Sequence, residues 1–535
     1  MAGGLLNLVS GGSQNAIMYG NPQKTYWVSS YKQITNFGLQ NFRVDYEGLR
    51  DLQLTTDSVF SFKIKRYAEL LTYTYLVIQL PDIYSPIYTV DNPDDPTTPF
   101  LYPYEFKWIK NIGAMMIRNI KFMVGGALIQ QMSGYDMVAL ANRDLTTTEK
   151  QKWDAMTGNV PELYDPASYH GLYPNVKYQD TGSEPSIRGR ELRIPLPIWW
   201  SLNSQQAFPL VCLQYNELQI EVSLRPIREL FQINNITGDT NLDVNKGFRT
   251  SVIAPNMTLP QHQLYLFLQS PPFDLTRYSK IYSWKSDIHL SCTYCFLSEE
   301  EAYVFASKEQ RYLVRELYDT WFPNIAVTDK LWLQNSKDLV LQWLLLFQRS
   351  DVPQRNEWSN FTNWPFNKLP NDVVITSDPN AYVKPTFYMP AYSVENQKDI
   401  PLTIGISFDG TTREEEVPAG IYQEQQYLRS KGGGFTSLPG MYAYNFCLHT
   451  DPFSLQPSGA INLSRYSKIE LLIKTITPTL NPNFYGAILC DNISGQAIGT
   501  SKSNLYSYTY QLLVIEERYN ILSFVSGNVG LMNAR

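Results

Sequence analysis

Apolar and polar residues alternate with a period of two along much of the chain. Phe42, Val44 and Tyr46 alternate with Arg43, Asp45 and Glu47, and Phe60, Phe62 and Ile64 alternate with Ser61, Lys63 and Lys65. A strand turns successive side chains to opposite faces, so these runs predict strands with one face in a core and one in water. Ile120, Phe122 and Val124 run into Gly125-Gly126, and Leu402, Ile404, Ile406 and Phe408 run into Asp409-Gly410. Both dipeptides tolerate positive φ and predict tight hairpins. Further alternating sets are Leu218 to Leu224, Ile469 to Ile473, and Ile288, Leu290, Cys292, Tyr294 and Phe296 on one shared face.

Helical signals are few. Thr146 with Glu149 and Ser298 with Glu301 have capping-box spacing, predicting two short helices inside long connections. The two halves of the chain resemble each other in order. IKFMVGG near residue 120 matches ISFDG near 406 at an offset of 284, and 208–224 matches 457–474 at an offset of 251, with Tyr215 on Tyr466. The pattern predicts an all-β chain of two tandem sandwiches with short helices in long loops. Its expected parts are an arm over 1–36, a first domain over 37–233, a linker over 234–260 rich in Asn, Thr, Gly and Pro, and a second domain with a C-terminal tail over 261–535.

Composition narrows the function. The 37 Tyr and 25 Phe suit pleated, half-buried surfaces. The formal net charge is −6 and no Lys/Arg run occurs, so the chain lacks the basic face that direct nucleic-acid binding requires. Five cysteines, an odd and scattered set, suit a reducing compartment rather than a disulfide framework. The N-terminus reads as neither a signal peptide nor a myristoylation site, since Ala2 follows Met1. The nearest candidate for a membrane span, Leu339 to Phe347, is too short to cross a bilayer, so no membrane insertion is expected.

Catalytic and metal chemistry is not expected. Cys292 and Cys295 have the spacing of metal ligands, but three positions apart on a strand they face opposite ways and cannot share a zinc ion. The four histidines form no ligand motif, and there is no GxSxG or phosphate-binding loop; Lys431 precedes its glycines. The acid clusters Asp91/Asp94/Asp95, Glu299–Glu301 and Glu414–Glu416 read as solvated charge rather than a glycosidase pair. No cofactor and no metal is expected. The N-x-S/T sequons at Asn235, Asn256, Asn360, Asn462 and Asn492 are candidate glycan acceptors only if the chain enters a secretory compartment. Trp199-Trp200 and Trp364 read as core or subunit-interface aromatics before a carbohydrate platform.

One resemblance adds to this reading. The opening runs through Gly3, Gly4, Gly20-Asn21-Pro22, Tyr26-Trp27, Tyr31 and Thr35-Asn36-Phe37. The later segments 117–130, 194–224, 456–465 and 517–535 continue it. Together these resemble the major capsid proteins of the nucleocytoplasmic large DNA viruses, and the chain departs from that pattern in the loops 85–105, 150–190 and 350–390. The resemblance implies two eight-stranded jelly rolls and a homotrimeric, pseudo-hexameric capsomer tiling an icosahedral shell. It implies no enzymatic activity. It also implies an assembly arm (Gly3, Gly4, Gly20, Asn21, Pro22, Tyr26, Trp27, Tyr31) that contacts neighbouring capsomers and minor capsid and penton proteins. The virion, assembled in host cytoplasm with an internal membrane beneath the shell, would be its location. A minor capsid or spike paralogue and a carbohydrate-binding β-sandwich are the alternatives.

Overall fold

The computed structural model describes residues 3–48, 51–90, 100–103, 105–166, 173–177, 182–234, 252–258, 262–270, 283–284, 286–364, 375–378, 381–383, 397–424, 429–430, 438–478, 486–490, 497–502 and 508–533. Met1–Gly38 is a compact unit of its own. It holds two short helical turns, Gly3–Leu5 continuing into Leu6–Val9 and Ser13–Asn15 continuing into Ala16–Tyr19.

The first sandwich has strands β1 (Phe37–Asp45), β2 (Ser58–Ile64), β3 (Leu70–Gln79), β4 (Ile117–Val124), β5 (Ala127–Met132), β6 (Glu191–Pro195), β7 (Phe208–Pro209), β8 (Leu218–Leu224) and β9 (Ile288–Leu297). They form a large sheet β1-β9-β3-β6, with β7 also on β3, and a small sheet β2-β8-β4-β5. The second sandwich has β10 (Gln310–Ile325), β11 (Thr328–Trp332), β12 (Leu339–Arg349), β13 (Pro401–Phe408), β14 (Thr411–Pro418), β15 (Met441–Asn445), β16 (Ile461–Asn462), β17 (Ile469–Thr475) and β18 (Tyr510–Val525). Its large sheet is β10-β18-β12-β15 with β16 also on β12, and its small sheet is β11-β17-β13-β14. A further strand, β19 (Asn528–Leu531), extends the large sheet beyond β18.

The strand order is the same twice. Each large sheet takes the first, ninth, third and sixth strands of its sandwich, and each small sheet the second, eighth, fourth and fifth. The offsets read from sequence land on these strands: β4 and β13 stand 284 positions apart, and β8 and β17 stand 251 apart. Both predicted hairpins form, with Gly125 and Gly126 at φ 57° and 83° and Asp409 and Gly410 at 48° and 81°.

The expected linker at 234–260 is not where the sheets change. β9 closes the first sandwich against β1 and β3, so the chain leaves that sandwich at Leu297 rather than before 261. Residues 235–251 and 259–260 of that stretch lie outside the described residues; composition alone does not separate a linker from a connection within a sandwich, and the pairing of β9 does. The shared face expected of β9 also ends early. A register shift between Cys292 and Tyr294 precedes a buried Cys295 and an exposed Phe296. Leu402 likewise turns outward beside a register shift between Pro401 and Thr403.

Among the described residues, three helices of nine residues or more occupy connections: α1 (Gly134–Asp144), α2 (Thr147–Thr157) and α3 (Glu299–Ser307). The Thr146/Glu149 capping box is made, whereas Ser298 caps α3 with no side-chain hydrogen bond. α1 was not anticipated from sequence. Its box is Ser133 with Asp136, an acid one methylene shorter than the expected Glu.

Candidate functional site

The site built with most side chains is the junction between the two sandwiches, formed on the outer face and free edge of the second large sheet. β12 shows why. Its odd residues Trp343, Leu345 and Phe347 belong to the second sandwich's own core with Ile404, Ile406 and Leu471. Its even residues Leu344 and Leu346, with Leu513, Ile515, Val314 and Leu317, join the first sandwich's core instead. A sheet covered on both faces needs apolar residues at every position. In the run Leu339 to Phe347, the nearest thing to a membrane span in the sequence, Val340 to Phe347 are therefore buried on both sides of a strand.

The free edge of β10 is capped by side chains of the first sandwich. Gln206 Nε2 donates to the Leu313 carbonyl at 3.0 Å and Gln130 Nε2 to the Arg315 carbonyl at 3.2 Å. Such caps satisfy backbone groups that would otherwise recruit another strand. Rings interleave along the same edge, Trp199 with Tyr312 at 5.1 Å and Tyr135 with Trp321 at 5.4 Å between centroids. α1 carries Tyr135 into this seam and approaches closely because residue 134 is glycine; a Cβ there would lie 2.3 Å from the Ala114 carbonyl oxygen.

At the C-terminal end of α1, Arg143 is fully buried. Its Nε and Nη2 donate to the Asp144 carboxylate at 2.7 and 2.9 Å, and its Nη1 donates to Glu517 Oε2 and Gln342 Oε1, each at 2.6 Å. Arg315 Nη1 donates to the other Glu517 oxygen at 3.4 Å and to the Thr450 carbonyl, and its Nη2 to the Asp451 carbonyl. Burial acts to raise the Glu517 carboxyl, but Arg143 and Arg315 outweigh it and hold it below the usual range. Asp144 has Arg143 as its close partner, and burial wins there, pushing it up. A cavity of about 270 Å³ adjoins this cluster, lined by Tyr73, Tyr75, Trp153, Phe453 and Leu455 among others.

A second clasp lies at 351–364, within a loop read from sequence only as variable. Asn356 Nδ2 donates to the Arg228 and Phe231 carbonyls, Trp358 Nε1 to the Glu229 carbonyl, and Gln232 Nε2 to the Arg355 carbonyl. Arg225 stacks over Trp358 at 4.2 Å. The loop is held by Asp351 between Arg349 and Arg355. Burial opposes ionisation of Asp351, but hydrogen bonds from both arginines outweigh it and hold its carboxyl at about 2. A third contact joins the loop before β8 to the turn between β18 and β19: Gln214 N–H donates to the Gly527 carbonyl at 3.3 Å and Asn216 Nδ2 to Asn528 Oδ1 at 3.0 Å.

The residues singled out from sequence lie elsewhere. Gly3 and Gly4 begin the first helical turn of the arm, Gly20 follows the second, Asn21 has φ 49°, and Pro22 comes next. Tyr26 and Trp27 meet edge to face at 4.9 Å, and both are exposed, as is Tyr31. Asn256 and Asn462 are exposed, and Asn235 and Asn492 lie outside the described residues. Asn360 is corrected as a glycan acceptor. It is buried, its Nδ2 donates to the Trp364 carbonyl, and its Oδ1 accepts from Thr362. Cys292 sits in the main core, where burial pushes its thiol up to about 12, while Cys295 belongs to a separate cluster with Leu70 and Ala207. Trp199 and Trp200 are core residues. No group of three metal-ligating side chains occurs among the described residues.

Two sandwiches with one strand order, joined through a buried seam, define a double jelly-roll protein. Known structures agree. The Faustovirus major capsid protein superimposes with a TM-score of 0.60 at 12% identity, over 94% of this chain and 93% of that one. PBCV-1 VP54 does so with a TM-score of 0.59 at 15% identity, over 96% and 100%. In sequence, residues 25–266 match the family described as major capsid protein N-terminus. The major capsid protein of Phaeocystis pouchetii virus is 27% identical over 277 residues, covering 50% of this chain and 49% of that protein. The match thus spans about half the length of such relatives. The major capsid protein of Paramecium bursaria Chlorella virus 1 is 22% identical over the full length of both chains. The N-terminal half of the chain is thus similar to a family of major capsid proteins, and its fold is that of the double jelly-roll capsid proteins.

Proposed function

We propose that the chain is a major capsid protein whose homotrimer forms a pseudo-hexameric capsomer in the icosahedral shell of a large double-stranded DNA virus. The repeated strand order carries this reading: one chain with two equivalent sandwiches supplies two of six near-equivalent positions, and three copies complete the ring. Each sandwich, 37–297 and 310–533, is a jelly-roll domain in this reading. The acidic net charge of −6 fits a shell wall that does not touch the genome directly. Neighbouring capsomers and minor capsid and penton proteins are the partners, and the arm residues Tyr26, Trp27 and Tyr31 are where such partners would dock. Assembly would take place in host cytoplasm, above an internal membrane that the chain does not enter.

Light scattering after size exclusion tests the reading. A species near three times 61.5 kDa is expected, and a clean monomer would overturn the capsomer. Deleting residues 1–36 is expected to leave the trimer intact and to impair shell formation; loss of the trimer would reassign the arm to trimerisation.

A further inference from the structure

The cavity beside Arg143 is too large to be a packing fault. Protein interiors leave few voids bigger than one water molecule, yet this one holds about 270 Å³. An apolar cavity of about 150 Å³ already admits a benzene ring. The walls come from both sandwiches. The first supplies Tyr73 and Tyr75 of β3, Trp153 of α2 and Pro195 of β6, and the second supplies Leu313 of β10 with Phe453 and Leu455 of the loop after β15. Tyr73 and Leu455 are 44% and 39% exposed, so the mouth opens beside them.

The walls are held in place. Asn203 Nδ2 of the first sandwich donates to the Phe453 carbonyl at 3.0 Å, Arg315 Nη2 donates to the Asp451 carbonyl at 2.8 Å, and the Phe453 N–H donates to Asp451 Oδ1 at 2.9 Å. Pro195, Pro197 and Pro452, whose rings fix φ, stiffen the lining further. The loop therefore cannot simply fall into the space.

The lining also sets the chemistry of what fits. Its charged members among the described residues are Arg143, Arg315, Asp144 and Glu517, two of each sign and already paired with one another. A ligand with net charge would give up its hydration and find no free counter-charge. Two polar groups remain for a neutral one. Ser201 Oγ accepts from the Thr74 N–H and Gln206 Nε2 donates to the Leu313 carbonyl, which leaves the Ser201 hydroxyl proton and Gln206 Oε1 without a partner among the described residues. Aromatic and aliphatic walls with a few polar groups are the usual make-up of a small-molecule site.

We propose that this cavity binds a small neutral amphiphile, an aromatic or branched aliphatic body of about ten non-hydrogen atoms with one hydroxyl or amide group, which bridges the two sandwiches when bound. The capsomer reading neither needs this ligand nor depends on it.

The test titrates the full chain with naphthol, read by its fluorescence and by calorimetry, and with naphthalenesulfonate, the same ring system carrying a fixed negative charge. Saturable binding of one naphthol per chain is expected, with a melting temperature that climbs with naphthol concentration, as for any ligand that binds only the folded state. Naphthalenesulfonate is expected to bind at least about tenfold more weakly. Ala141→Phe, on the α1 wall, fills the space, and Leu455→Asp puts a charge at the mouth. Each is expected to weaken naphthol by about tenfold or more, with the fold shown intact by circular dichroism. Leu455 is exposed, so its variant decides the matter even where Ala141→Phe fails to fold. Uptake that rises without saturating, or naphthol affinity unchanged in the folded variants, would overturn the site. Equal affinity for naphthol and naphthalenesulfonate would overturn the neutral class of ligand.

Discussion

The outer faces of the two large sheets have the same topology and opposite chemistry. In the second sandwich the face presents Leu344, Leu346, Leu513 and Ile515 around one buried ion cluster, and it is covered by the first sandwich. In the first it presents Leu39, Asn41, Ser291, Thr293 and His289, and it stands open in the single chain. A face that is buried as soon as the chain folds can be made of leucine. A face that meets water in the single chain is polar with isolated apolar residues. The two sandwiches thus share a backbone plan and differ in the side chains of these faces, apolar where the face is covered and largely polar where it is open.

The same contrast explains what sequence alone revealed. Alternation located β2, β4, β8 and β17 because each has one core face and one wetter face, and two offsets exposed the duplication because those strands kept their phase. β12 gave no alternation, since both its faces are buried, and its apolar run resembled a truncated membrane span. The junction was illegible for a different reason. Arg143, Glu517 and Gln342 stand far apart in sequence, and nothing local marks a buried arginine. Asn356 and Trp358 lie in a loop that differs from the family pattern, although they stitch the sandwiches together. The glycan candidate at Asn360 failed because a sequon says nothing about burial.

The contrast between the covered and the open face can be broken most forcefully at Arg143. Replacing it with Met leaves Glu517 and Asp144 buried without their closest cation. Removing one partner of such a cluster costs about 3–5 kcal/mol. Urea denaturation is expected to lose that much stability and to split into two transitions as the sandwiches uncouple. A single unshifted transition would show that the seam is held by apolar contact alone.

Equivalent truncations on the two faces come next. Leu344→Ala opens a cavity in the seam and is expected to cost about 2–5 kcal/mol, the usual range for buried leucine. Leu39→Ala removes a half-exposed side chain and is expected to shift the stability of the dissociated chain by no more than about 0.5 kcal/mol. Equal effects at both positions would mean that the two faces are covered alike in the free chain.

Acid acts on the clasp at 351–364. The Asp351 carboxyl, held at about 2 against a usual value of 3.8, contributes stability that is present above its unfolded value and is lost as pH falls through its folded one. The shift corresponds to about 2 kcal/mol. Stability measured from about pH 5 down to about pH 2 is expected to fall less steeply in Asp351→Asn than in the wild type, from a lower starting point. Identical slopes would remove Asp351 as the acid-sensitive group of the clasp.

The smallest effect at neutral pH, and the opposite sign with pH, is expected at Asp136. This α1 residue caps its own helix, accepting from the Ser133 N–H at 2.7 Å, and burial together with the facing Asp319 of β10 pushes its carboxyl well above the usual range. A raised carboxyl stabilises most below its unfolded value and loses that contribution as pH climbs through the folded one. Asp136→Asn keeps an oxygen for the cap and removes the proton from the account. The variant is therefore expected to match the wild type below about pH 4 and to exceed it increasingly as pH rises above that. Parallel urea midpoints across that range would show that the two acids do not feel each other across the seam. A diverging pair would place a titrating contact between the sandwiches on the covered face; on the open face of the first sandwich, burial disfavours ionisation of His289.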